Sequence, residues 1–172
     1  MVSTMNKLTV TDNYLSDVEF NLLQQTTASG ANFDWCQHQH NPDDNALCNH
    51  QFTHMIYSGG EWISDRRDLF EPVIRYFSAL AIIRVKVNLL LSTPEPYFGG
   101  FHVDCERADI ARSGVLYLDD SNGPTEFETG QKVECVSNRF VEFPANIRHG
   151  SWTCTNRHYR RAINFNWIPH NE

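Results

Sequence analysis

The sequence contains no apolar run long enough to cross a bilayer. Its most apolar stretch, SALAIIRVKVNLLLS, is broken by Arg84 and Lys86, whereas a spanning helix needs about 20 consecutive apolar residues. The opening residues, MVSTMNKLTVTDNYL, lack the apolar core of a secretory signal. Positive charge is scarce as well. The 14 Lys and Arg are outnumbered by 21 Asp and Glu, a formal net charge of −7. That balance argues against a general nucleic-acid binder, which needs a basic surplus to displace counterions. The five cysteines are odd in number and irregular in spacing, so they read as reduced thiols rather than a disulfide framework. The expected location is cytoplasmic, with no membrane contact. Internal repeats, low-complexity tracts and linkers are also missing.

What is present suits a single domain spanning 1–172, with ordinary composition: 41% hydrophobic, 20% charged, 12% aromatic. LTVTD reads as an extended lead-in. A helix is expected to begin near Ser16, with Asp17 and Glu19 in its first turn and Val18, Phe20, Leu22 and Leu23 following. It should stop by Gly30, before the polar stretch HQHNPDDNALCNH. A second helix is expected from Asp65 to Ala81, where Leu69, Val73, Tyr76, Phe77 and Leu80 are spaced to line one face. Strand patterns then take over. IRVKVNL alternates Arg84, Lys86 and Asn88 against Val85, Val87 and Leu89. SGVLYLDD, TEFET, KVECV, RFVEFP and RAINFNW follow, with SNGP and TG as turns. Helices first and short strands after predict an α+β, mainly β domain. A β-sandwich or jelly-roll barrel flanked by N-terminal helices fits that order.

The chemistry-bearing residues begin with GGFHVD. His102 and Asp104, two apart on an extended chain, point to one face. His149, in RFVEFPANIRHGSW, supplies a third candidate ligand after a strand and a Pro-Asn turn. Two histidines and one carboxylate leave positions of an octahedral ion open, a pattern suited to Fe(II) rather than to a closed structural zinc. In RRAINFNW, read as a strand, Arg161, Ile163, Phe165 and Trp167 share one face. Arg160, Ala162, Asn164 and Asn166 share the other, which is small and polar. Arg160 is therefore the expected anion ligand through paired hydrogen bonds, and Arg161 is expected at the strand's start with its head in solvent. Between Arg139 and Arg161, five arginines and two histidines face the single acid Glu142; most are expected on a solvated surface. Cys36, His38, His40, Cys48, His50 and His54 form a denser group, and His50 and His54 would share a helix face at i, i+4. Their spacing fits no zinc-finger pattern. His54 is expected to pack or hydrogen-bond.

Taken in order, HVD, YLDDSNGPTEF, IRHGS and RRAINFNW resemble the motifs of the Fe(II)/2-oxoglutarate-dependent oxygenases, in particular the prolyl-4-hydroxylase-like branch. The likeness covers roughly residues 83–167, and VTDNYLSDVEF and FTHMIY resemble the helical cap of smaller members more loosely. It implies a double-stranded β-helix (jelly-roll) core over 83–168, after a helical cap or lead-in over 1–82. It implies Fe(II) held by His102, Asp104 and His149, with O2 and 2-oxoglutarate as co-substrates. Arg160 would pair with the far carboxylate of 2-oxoglutarate, Tyr117 would donate its hydroxyl to that carboxylate, and Thr125 would line the pocket. The implied activity is oxidative decarboxylation of 2-oxoglutarate to succinate coupled to hydroxylation of a peptidyl proline, a free amino acid or a small metabolite. Leu89 follows Asn88 where prolyl hydroxylases often carry tyrosine, and Asn122-Gly123-Pro124 replaces a Gly-Gly pair. Alternatives are an inactive jelly-roll binding module, an oxidative demethylase acting on nucleobases, and a zinc hydrolase, which gives the arginine strand no purpose. Tyr117 and Phe127 as barrel packing, Trp152, Phe165 and Trp167 as core, and Cys105 as a packed thiol complete the expectations.

Overall fold

The computed structural model describes residues 7–28, 33–39, 50–104 and 110–170. Along them run β1 (Thr9–Thr11), α1 (Asp17–Thr26), β2 (Cys36–Gln39), β3 (His50–Ser58), β4 (Glu61–Trp62) and α2 (Arg67–Ile74). The remainder is β5 (Ala79–Leu91), β6 (Arg112–Tyr117), β7 (Ser121–Phe127), β8 (Lys132–Cys135), β9 (Phe140–Pro144), β10 (His149–Ser151) and β11 (Tyr159–Pro169). The large antiparallel sheet has the order β1-β9-β6-β11-β5-β3-β2, with β4 on β3. A small sheet, β10-β7-β8, faces it and is extended by the Phe98–Trp152 and His102–His149 bridges. Two antiparallel sheets with these crossovers make the jelly-roll.

Alternation along the strands sorts two cores. Val115, Tyr117, Val141, Phe143 and Ala162 of the large sheet meet Phe127, Val133 and Cys135 of the small one. The intervening residues Leu116, Phe140, Ile163, Phe165 and Trp167 turn to the opposite face, where Phe20, Leu23, Phe70 and Val73 of the helices cover them. Helix α1 starts after Ser16, where it was expected to begin, and Ser16 caps it: its hydroxyl accepts from the Glu19 N–H, and Glu19 reaches back to the Ser16 N–H. Such a capping box satisfies two amides that the helix leaves unpaired.

Three expectations are corrected. The second helix ends at Ile74, not Ala81. Residues from Ala79 onward instead join β5, which pairs with β11 as far as Ala79–Pro169 and with β3 on its other edge. Sheet pairing on both edges outweighs the helical spacing, and Tyr76 and Leu80 end up exposed. FTHMIY is strand β3 rather than part of a helical cap. His50 and His54 therefore lie roughly 13 Å apart along a strand instead of stacking on a helix. SNGP, expected as a turn, belongs to β7, with an irregular register between Ser121 and Thr125. Gly30, His40, Cys48, Cys105 and the side chain of His38 lie outside the described residues. Among the described residues, no helix is long and apolar enough to cross a membrane.

Candidate metal centre

The floor of the site is a ladder of cross-strand pairs on the inner face of the large sheet. Register sets Leu90 opposite Arg160, Asn88 opposite Ala162, Lys86 opposite Asn164 and Arg84 opposite Asn166. With period 2, all eight point the same way; Ala162, Asn164 and Asn166 keep the β11 half small and polar as the sequence suggested, and β5 adds the cations Arg84 and Lys86. Above it lies a cavity of about 160 Å³ that reaches His102, Asp104, Thr125 and His149.

His102, Asp104 and His149 converge at one end of this cavity. One candidate donor atom from each lies within 4.8 Å of the others. Asp104 Oδ2 is 3.6 Å from His149 Nε2, and Oδ1 is 3.9 Å from His102 Nε2. The His149 Nδ1 faces the Ile147 carbonyl at 3.1 Å. A carbonyl only accepts, so the proton sits on Nδ1 and the Nε2 lone pair is available to an ion. Asp104 is oriented from below: Arg84 Nη2 donates to Oδ1 and Asn166 Nδ2 to Oδ2, each at 3.2 Å. Arg84 Nε donates to Asn166 Oδ1, and Asn166 Nδ2 also donates to Ser113. Burial alone would raise the Asp104 pKa, but His149, Arg84, His102 and Asn166 together pull it below the usual carboxylate range. Burial, then the neighbouring His149, pushes the His102 imidazole down, although nearly half of its side chain is exposed. A divalent cation needs an anionic carboxylate, and the lowered Asp104 pKa favours that form.

Arg160 lies on the same floor and is only 1% exposed. Its Nη2 donates to Thr125 Oγ1 at 2.9 Å, and Tyr117 Oη donates to the same oxygen at 2.8 Å. Both Thr125 lone pairs are thus occupied, and its own proton is left to donate. The guanidinium carbon stands 5.2 Å from the Tyr117 ring centroid. Burial pushes the Tyr117 hydroxyl up to about 12, so it remains a donor. The Arg160 Nε is buried without a partner, and among the described residues no carboxylate pairs with this guanidinium. A buried, unpaired cation is costly unless a ligand completes it.

Arg160, Thr125 and the three candidate metal ligands thus share one cavity, while Tyr117 sits behind Thr125 rather than in the lining. The solvent-facing position expected for Arg161 is wrong. Arg161 is 3% exposed and forms a bidentate pair with Asp119, with Nη2–Oδ1 at 2.7 Å and Nε–Oδ2 at 2.9 Å. It also ties down the end of α1 through the Gln24 carbonyl and the Thr27 hydroxyl. Of the other arginines in the basic stretch, Arg139 pairs with Asp12 and Arg148 with Glu128. His54 hydrogen-bonds Ser64 and stacks on Phe33, and among the described residues no second group of potential ligands gathers. Phe127, Phe165 and Trp167 are core, whereas the half-buried Trp152 donates to Glu126. Arg84 and Asn166, which hold Asp104, and Lys86, which lines the cavity, were not assigned by the motif pattern alone. Their alternation on β5 and β11 was the available signal.

Comparison with known proteins identifies the fold. No family model and no curated protein matches the sequence. Among solved structures, a 2-oxoglutarate-Fe(II) oxygenase-family oxidoreductase from Burkholderia pseudomallei superposes with a TM-score of 0.68 at 14% identity. The match covers 95% of this chain and 86% of that one. A Pseudomonas putida prolyl-4-hydroxylase gives 0.57 at 15% identity, covering 96% and 94%. HygX from Streptomyces hygroscopicus, with nickel and 2-oxoglutarate bound, gives 0.60 at 12% identity, covering 96% and 84%. The chain shares the jelly-roll fold of these oxygenases.

Proposed function

We propose that the protein is an Fe(II)- and 2-oxoglutarate-dependent dioxygenase that hydroxylates a peptidyl proline, a free amino acid or another small metabolite. The observation that carries this reading is the unpaired, buried Arg160 guanidinium in the same cavity as the His102–Asp104–His149 group. Either feature alone has other uses. Together they suit a metal-chelating acid with a second carboxylate at its far end.

The donor set fits Fe(II): two imidazole nitrogens and one anionic oxygen, with further coordination positions left to ligands. In this reading His102, Asp104 and His149 hold the ion, and Arg84 and Asn166 keep the Asp104 carboxylate turned toward it. Arg160 receives the distal carboxylate of 2-oxoglutarate through charge-assisted hydrogen bonds, and the Thr125 hydroxyl, relieved of accepting duty, donates to the same group. Tyr117 fixes Thr125 from behind. Burial of this end keeps water from competing for the guanidinium, which strengthens the pairing. Iron bound there supplies the redox chemistry that couples O2-driven decarboxylation of 2-oxoglutarate to substrate hydroxylation.

Solved structures of this fold include a prolyl hydroxylase in complex with a hypoxia inducible factor peptide fragment and HygX with hygromycin B bound, which supports testing both peptides and small molecules. The experiment is succinate release from Fe(II)-loaded protein across panels of peptides, amino acids, metabolites and oligonucleotides. Substrate-stimulated succinate that disappears in His149→Ala is the expected result. Turnover of none of these classes, with no uncoupled succinate, would remove the enzymatic reading in favour of a binding module.

A further inference from the structure

The cavity has more positive charge than its metal centre and co-substrate use. Arg84, Lys86 and Arg160 face one carboxylate, Asp104, within the lining. Arg84 is engaged with Asp104 and Asn166, and Arg160 is assigned to the distal carboxylate above. Lys86 remains. Its ammonium has neither a hydrogen-bond nor an ion-pair partner among the described residues, and its cavity neighbours Gln51, Asn88 and Asn164 are neutral. Two positive charges are left over in this lining; a divalent ion raises that to four, and a dianionic co-substrate lowers it to two. An ammonium drawn toward a polar cavity rather than into solvent forfeits hydration, so a cavity ligand is its natural counter-ion.

Position separates Lys86 from the Arg160 end. Along β11, Arg160 and Asn164 are four residues apart, roughly 13 Å, and Lys86 lies beside Asn164 on the next strand. Arg84, two residues along the same face of β5, donates to Asp104, and Lys86 shares the cavity lining with His102 and Asp104, which places it at the metal end. We propose that the substrate carries an oxyanion, a carboxylate or phosphate, that ion-pairs with the Lys86 ammonium and so presents the substrate beside the metal centre. This deepens the dioxygenase reading and rests on it.

The test uses protein loaded with Mn(II), a paramagnetic stand-in that does not turn over, and saturating 2-oxoglutarate. Water-proton relaxation reports metal and co-substrate binding, and ³¹P relaxation of added inorganic phosphate reports an oxyanion near the metal. Saturable ³¹P enhancement is expected in the wild type, about tenfold weaker in Lys86→Met, the size of one charge-assisted hydrogen bond, and retained in Lys86→Arg. The 2-oxoglutarate affinity of Lys86→Met should be unchanged. Equal phosphate affinity in wild type and Lys86→Met would overturn the proposal. So would loss of 2-oxoglutarate affinity in Lys86→Met, since the amine would then serve the keto-acid end of the co-substrate. Failure of the wild type to bind Mn(II) and 2-oxoglutarate would sink the dioxygenase reading itself, whereas normal loading without a phosphate site sinks this inference alone.

Discussion

His102 and His149 are joined by both backbone hydrogen bonds of an antiparallel pair, at 2.9 Å and 3.0 Å. Residues separated in sequence by four strands, β6 to β9, are thereby fixed to one another before any ion arrives. Their ring centroids stand 4.7 Å apart, and the backbone pairing holds the two side chains side by side, as a preorganised site requires.

The pairing depends on Gly150. A methyl group there would meet the Gly100 carbonyl oxygen and approach the Phe98 ring to 2.7 Å. Gly150→Ala should therefore push β10 away from the Phe98–His102 segment. We expect about 1–3 kcal/mol of destabilisation from overpacking together with weaker metal binding, read by thermal melting and by Mn(II) titration. Wild-type metal affinity in this variant would show that the bridge does not set the site.

Asp104 is held by Arg84 and Asn166, and removing such supporting contacts typically lowers metal affinity by roughly 10–100-fold. Asn166→Ala should fall in that range in competition with a chelator, with the fold retained by circular dichroism. A change below twofold would mean the carboxylate orients itself.

The adjacent arginines should separate cleanly. Asp119→Ala leaves Arg161 buried and unpaired, and should cost about 3–5 kcal/mol in urea unfolding. Arg160→Ala removes a cation that has no acid partner in the protein, so stability should hold or rise. Its 2-oxoglutarate affinity should drop by about two orders of magnitude, in line with the roughly 2–5 kcal/mol lost on breaking a buried charge pair.

Lys86 gives the expected pH dependence. Burial, then repulsion from Arg84, lowers its ammonium from 10.5 to about 8, against a smaller opposing pull from Asp104. The other charged or titratable groups facing it are His102 and, farther along the floor, Arg160; β3 contributes neutral Met55, directly opposite it, and Thr53 and Gln51. A lowered cationic pKa means the charge is present below about 8 and lost above it. Phosphate affinity of the Mn(II)- and 2-oxoglutarate-loaded protein should then fall as pH rises through 8. Lys86→Arg should flatten that limb, because guanidinium stays charged.

Much of the site could be read from the chain because period 2 is unforgiving: once RRAINFNW is a strand, Arg160 and Asn166 must share a face. His-x-Asp and the helix start near Ser16 are equally local. What escaped was set by partners distant in sequence. Arg161 has the exposure pattern of a strand start until Asp119 and the end of α1 close over it. Residues 75–81 have helical spacing, but β3 and β11 recruit Ala79 onward into the sheet. The alternation of Arg84 and Lys86 was visible, yet only the β5–β11 register shows that their face is the cavity.

The central claim is that one cavity binds a metal through His102, Asp104 and His149 and a 2-oxoglutarate carboxylate through Arg160. Anaerobic addition of Fe(II) and 2-oxoglutarate tests it most directly. A weak visible metal-to-ligand charge-transfer band should appear in the wild type and be absent in His102→Ala and His149→Ala. In Arg160→Ala it should require far more 2-oxoglutarate. No band in the wild type, or a band indifferent to all three substitutions, would contradict the account.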